Sequence, residues 1–148
     1  MPWVEHKAFV KAPLKSVWDF ICVMNNWAKY LKGYQKHEEL NEKESVWTLK
    51  GDVGVLCRVV HFKVFITEWS EPEKVKFILE GINERLTGEG RFLALPIPDN
   101  NTELNFKLTL NAGGMIGPLV NVMLKPMLKP VTVEMAENIS KEIERLQA

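Results

Sequence analysis

The groups in this sequence that could do chemistry are three histidines, two cysteines and a few polar residues in phase with apolar ones. His6, His37 and His61 fall on three different predicted strands. None has the His-x-x-x-His spacing that sets two ligands on one helix face, so neither a metal nor a cofactor is expected. Cys22 and Cys57 have no metal-like or redox-like spacing, which fits a reducing compartment. Arg58 shares the phase of Val60. It could hold a carboxylate or enolate oxygen at a cavity mouth, or simply reach solvent at a strand end. His61 has the opposite phase and reads as a surface residue. Glu68 is in phase with Ile66 but stands near a turn, where solvation is expected. No Ser-His-Asp order, nucleotide loop or paired-carboxylate motif occurs, so no catalytic residue is assigned.

Composition narrows the partners. The chain has 148 residues, with 19 basic and 19 acidic side chains. That length suits one domain, 1–148, with a sizeable core. Balanced charge gives no overall field, and the basic residues are interleaved with acidic ones, which argues against a nucleic-acid track. There is no basic-then-apolar leader, and no run approaches the roughly 18 apolar residues of a membrane span. A cytoplasmic protein, monomeric or weakly homodimeric, is expected.

The largest element available to position these groups is the last third of the chain. At about 100° per residue, Ile116, Leu119, Val120, Met123, Leu124 and Met127 fall on one helix face. Val131, Met135, Ala136, Ile139, Ile143 and Leu146 form a second stripe, offset by roughly 120° on an ideal helix. Between them lies the tandem Met123-Leu124-Lys125-Pro126-Met127-Leu128-Lys129-Pro130. Interior prolines remove a backbone donor and clash with the preceding turn. A break near Pro126–Pro130, giving two helical segments, would realign the stripes. The first segment then either wraps the sheet or acts as a movable lid.

Upstream the text is strand-like. Trp3 to Ala12 alternates as a half-buried strand. Pro13 opens a short helix with Leu14, Val17, Trp18 and Ile21 inward, and a second short helix carries Trp27, Tyr30 and Leu31. Six more strands follow: Tyr34 to Leu40, Ser45 to Val53, Leu56 to Trp69, one through Val75, Phe77 and Leu79, Arg85 to Leu95, and one carrying Leu104, Phe106, Leu108 and Leu110. Gly51 and Gly54 bracket a bend or bulge. One apolar and one polar face imply an antiparallel meander, wet on its outer side. The expectation is an α+β chain. A curved seven-stranded antiparallel sheet wraps a long C-terminal helix, with two short helices after the first strand.

A wide sheet curls, and one helix cannot fill a strongly curled trough. The remainder is an apolar cavity suited to a hydrophobic small molecule. Its candidate lining is Trp47, Val60, Phe62, Val64, Phe77, Leu79, Phe92, Phe106, Leu108, Met123, Met127 and Val131, with Arg58 as a polar anchor. Met123 and Met127 could form an adaptable roof or ordinary core. Some of the four phenylalanines must be core. Gly88 and Gly90 either leave space for a ligand or mark a bulge.

The chain also resembles a known family. Val10-Lys11-Ala12-Pro13 followed by Val17-Trp18, Val64 to Glu68 followed by Glu71-Pro72 and Val75, and Asn111-Ala112-Gly113-Gly114 before the last helix carry the likeness. They are similar to the SRPBCC helix-grip proteins, which include Bet v 1, lipid-transfer START domains and polyketide cyclases. Within these, the chain looks most like the CoxG-related branch. Its double proline and the absence of a tail past the helix depart from that branch. The resemblance implies a helix-grip fold with a cavity for lipids, quinones, steroids or polyketides. Three functions are compatible: a carrier of an apolar molecule, which is preferred; a cyclase or dehydratase holding a reactive conformer; and a protein-interaction or accessory module.

Overall fold

The computed structural model describes residues 2–31, 33–50, 59–82 and 85–147. Arg58, Cys57 and the glycine bend at Gly51 and Gly54 lie outside the described residues. The elements run β1 (Trp3–Val10), α1 (Leu14–Ile21), α2 (Met24–Ala28), β2 (Tyr34–Glu39), β3 (Glu44–Lys50), β4 (Val59–Ser70), β5 (Lys74–Gly81), β6 (Leu86–Ile97), β7 (Asn101–Ala112) and α3 (Gly117–Gln147). This is the expected helix-grip arrangement of strand, two short helices, six strands and long helix.

The seven strands form one sheet in the order β1-β7-β6-β5-β4-β3-β2, antiparallel throughout. The alternation legible in the text is the alternation seen. Leu104, Phe106 and Leu108 of β7 are buried and Glu103, Lys107 and Thr109 on the other face retain solvent exposure, while Asn105 on that face is buried and its Oδ1 accepts from Arg91 at 3.3 Å. On β4, Phe62, Val64 and Ile66 are inward. His61 is on the opposite face, as expected, where its Nδ1 lies 3.1 Å from the Thr48 hydroxyl.

Packing of the inner face begins with Trp27 on α2. Its ring centroid stands 5.1 Å from Phe77, 5.1 Å from Phe92 and 5.5 Å from Trp47. Its indole N–H donates to the Ile21 carbonyl at 2.9 Å. Phe106 completes the group, 4.6 Å from Phe92. Aromatic rings at these tilted separations add to the stabilisation from area burial. The end of the sheet nearest α1 is closed separately, by the Trp18 indole N–H donating to Glu71 at 3.0 Å.

One expectation is corrected. The final helix is not two segments but a single element, Gly117–Gln147, that continues through Pro126 and Pro130. The prolines are four apart and therefore share a face, together with Val122. All three residues are exposed. The carbonyls that lose a partner, those of Val122 and Pro126, thus face water, which satisfies them in place of the missing N–H groups.

The stripe problem resolves in the same way. The buried residues are Leu124, Leu128, Thr132, Met135, Ala136, Ile139, Ser140 and Ile143 after Gly117. Leu124 and Leu128 lie in phase with the second stripe, whereas Ile116 and Leu119 are exposed. Buried Thr132 and Ser140 interrupted the apolar pattern and hid its continuity. That stripe packs chiefly on β1 and β7, and against α1. The Lys11 backbone N–H donates to Glu144, and His6 meets Glu137 at 3.0 Å.

Candidate functional site

The inner face of the sheet differs between its two ends. At one end β3, β5 and β7 finish and β4 and β6 begin; α3 also starts there. Inward positions at this end pair across the strands as Leu49 with Val60, Trp47 with Phe62, Val64 with Leu79, Leu79 with Gly88, and Gly88 with Leu110. Among the described residues α3 packs chiefly on β1 and β7 rather than over β3 to β5.

The candidate residues sort by position along this gradient. Trp47, Val64, Phe77, Phe92 and Phe106 are fully enclosed, around or beside Trp27. Phe62 and Leu108 are only just buried. Val60 and Leu79 on the sheet, with Met123, Met127 and Val131 on α3, keep part of their surface in solvent. The structure therefore makes the first set a solid floor. The rest fall along a partly open margin between the sheet and the helix.

Gly88 and Gly90 are neither bulge nor open space. The β5·β6 and β6·β7 registers run through them unbroken. A Cβ on Gly90 would meet the Phe77 ring, and one on Gly88 would meet the Thr109 carbonyl and the side chains of Leu110 and Leu79. The missing side chains let Phe77 lie flat on the sheet and let Leu79 and Leu110 converge above it. Leu110 belongs beside the candidate residues, and its signal was in the text: it has the parity of Phe106 and Leu108.

The start of α3 is pinned by one side chain. Asn121 Oδ1 accepts the Ala112 backbone N–H at 2.8 Å, and its amide group reaches Asn111 Oδ1 and the Ala112 carbonyl at 3.3 and 3.4 Å. Asn121→Ala leaves that N–H without its partner and should lower stability by about 1–2 kcal/mol. Faster amide exchange over 117–124, against unchanged exchange over 135–143, is the measurement that checks it.

Polar chemistry is sparse around this margin. Trp47 places its indole Nε1 inside the protein with no hydrogen-bond partner among the described residues. The His6–Glu137 pair sits under the helix at the edge strand, away from β3 to β5. Burial first, then the Asp19 carboxylate, pushes the Cys22 thiol up, opposite to what a nucleophilic thiolate needs. Burial and Glu142 likewise push the Tyr30 phenol up, holding it protonated. An open groove between α1 and the end of α3, lined by Asp19, Lys29 and Glu142 among others, is mostly polar. Among the described residues no group of three or more His, Cys, Asp or Glu could hold a metal ion.

This combination of wrapped sheet, gripped helix and apolar inner margin defines a class of proteins, and comparison with solved structures agrees. A conserved protein from Geobacillus kaustophilus superposes with a TM-score of 0.78 at 21% identity, covering 95% of this chain and 94% of that one. The Zhui aromatase/cyclase from Streptomyces gives 0.76 at 18% identity, covering 99% and 95%. A START superfamily protein from Mycobacterium smegmatis gives 0.72 at 14% identity, covering 97% and 98%. No curated protein sequence matches the chain. A protein-family model matches residues 1–146. The chain shares the helix-grip fold of these proteins.

Proposed function

We propose that the protein binds a hydrophobic small molecule carrying a hydrogen-bond acceptor, a lipid, quinone or polyketide-like compound, between the open end of the sheet and the first half of α3. The observation that carries this reading is the Trp47 indole, an enclosed donor with no partner among the described residues. A buried donor left unpaired costs about 1–3 kcal/mol, and a ligand carbonyl or ether oxygen would satisfy it. Around it the surroundings are apolar. Trp27 packs against the indole, Phe62 is its cross-strand neighbour, and Val60 and Leu79 continue the same inner face toward solvent. Apolar walls with one or two placed polar groups are the usual construction of such pockets.

In this reading Phe77, Phe92, Phe106 and Val64 form the floor, and Leu108, Met123, Met127 and Val131 the helix-side wall. The thioethers of the two methionines adapt to irregular guests. Carriage rather than catalysis follows from the local chemistry. The acid–base pair within reach of the inner face, His6 with Glu137, is half-exposed and committed to joining β1 to α3. A cyclase would place such a pair against the substrate.

The test is native mass spectrometry on protein purified from its host, with the wild type and Trp47→Phe side by side. The wild type should carry an apolar guest with at least one oxygen acceptor. Trp47→Phe keeps an aromatic ring and removes the donor, so affinity for that guest should fall about tenfold while far-UV circular dichroism shows the fold retained. A guest retained equally by both proteins would remove Trp47 from the site. A wild type that carries no guest, and gains none when offered lipids and quinones, would end the carrier reading.

A further inference from the structure

The first half of α3 is built unlike the second. A helix lying on a sheet normally turns polar residues to solvent, and from Glu134 onward α3 does so. Before that point the rule is broken. Met115, just ahead of the helix, is 100% exposed, and Ile116, Leu119 and Val122 are 68%, 63% and 69% exposed. Pro126 and Pro130 continue the same outward face. At 1.5 Å per residue, Met115 to Pro130 makes an apolar ridge roughly 23 Å long. At the same end of the sheet Val59 and Ile82 are also exposed, at the start of β4 and just past β5.

Charge around the ridge has one sign. No Asp or Glu occurs from Gly113 to Val133, whereas the rest of the chain interleaves acids and bases. Lys125 and Lys129 flank the ridge on one side, both exposed. Arg85, also exposed, lies against Gly114 at the helix start. Contiguous apolar surface of this kind marks an interaction site rather than ordinary surface. Its occupant must take up hydrophobic side chains along a line and supply negative charge beside them.

We propose that this ridge docks on an anionic lipid bilayer, with α3 lying in the plane of the interface. Leu119, Val122 and Ile116 enter the boundary between headgroups and acyl chains. Lys125, Lys129 and Arg85 reach lipid phosphates, their stems lying along the apolar surface. A short apolar face combined with cations and no acids is the composition that binds such an interface without spanning it. Among the described residues no helix is long and apolar enough to cross a membrane. The ridge adjoins the margin where the guest is proposed to enter, but the inference rests on the exposure and charge of α3 and stands without any guest.

Vesicle sedimentation tests it, with phosphatidylcholine vesicles containing phosphatidylglycerol set against phosphatidylcholine alone. The protein should pellet with the first and remain in solution with the second. Lys125→Glu with Lys129→Glu should weaken pelleting about tenfold or more, and Leu119→Asp with Val122→Asp should abolish it. These side chains are exposed, so far-UV circular dichroism of both variants should match the parent. Trp47→Phe should pellet like the wild type, which separates this outcome from the fate of the carrier reading. Absence of pelleting with anionic vesicles, or equal pelleting with both kinds, overturns the proposal. So does a dimer in analytical ultracentrifugation that Leu119→Asp dissociates, because the ridge would then belong to a second copy of the chain.

Discussion

Trp27→Ala should lower the free energy of unfolding by about 3–5 kcal/mol, more than any other single truncation in α1 or α2. The residue is completely enclosed and contacts three rings borne by three different strands, Trp47 on β3, Phe77 on β5 and Phe92 on β6. Removing it leaves a cavity bounded by a sheet that cannot collapse and by a helix of only five residues. It also strips the Ile21 carbonyl of its donor. Urea denaturation followed by far-UV circular dichroism measures the loss. Trp27→Phe, which keeps a ring but not the N–H, should cost distinctly less. Equal losses in the two variants would assign the whole effect to the hydrogen bond. A loss below about 1 kcal/mol in the alanine variant would mean that α2 does not seal the floor.

The second large effect has the opposite sign. Replacing Pro126 and Pro130 by alanine should raise stability, by about 2 kcal/mol at each site. An interior proline costs about 3 kcal/mol relative to alanine, and its narrower unfolded ensemble offsets about 0.4–1 kcal/mol of that. Were the prolines needed to join two misaligned segments, the double variant would instead be destabilised, with one stripe displaced. The continuous helix and single buried stripe predict otherwise, since both new N–H groups meet carbonyls already in line on the exposed face. Thermal and urea unfolding of the two single variants and the double variant decide the sign. The prolines share a turn, so the two increments need not add.

Much of the fold was readable from strand alternation because each strand buries one face only. The phase of β7 alone assigns its inward residues, and the sheet order follows from hairpins between β2 and β7. The helix was misread for a definite reason. The phase argument placed Ile116 and Leu119 on a buried face, and both are exposed. Thr132 is buried against the sheet but carries no apolar signal in the sequence. Leu124 and Leu128 were the real signal, four apart and in register with Ile139 and Ile143. The candidate pocket residues were found by parity, which reports direction but not depth. Parity could not separate Phe92, sealed under Trp27, from Leu79 at the margin. That difference depends on where α2 and α3 land, and landing sites are set by contacts between residues far apart in the chain. No pattern in the text pointed to the unpartnered indole of Trp47.

The pairing of β1 with β7 sets a constraint on how the chain reaches this state. Trp3 lies across from Thr109 and Val10 from Thr102, so the first strand made during synthesis has its partner among the last. Until β7 leaves the ribosome, β1 must wait with Val4, Ala8 and Val10 uncovered, and α3, which rests on both strands, cannot settle before either. Such distant pairing slows folding and lengthens the time in which sticky segments are unshielded. A chain stalled before Asn101 should therefore remain protease-sensitive at its amino terminus, however well its central hairpins have formed.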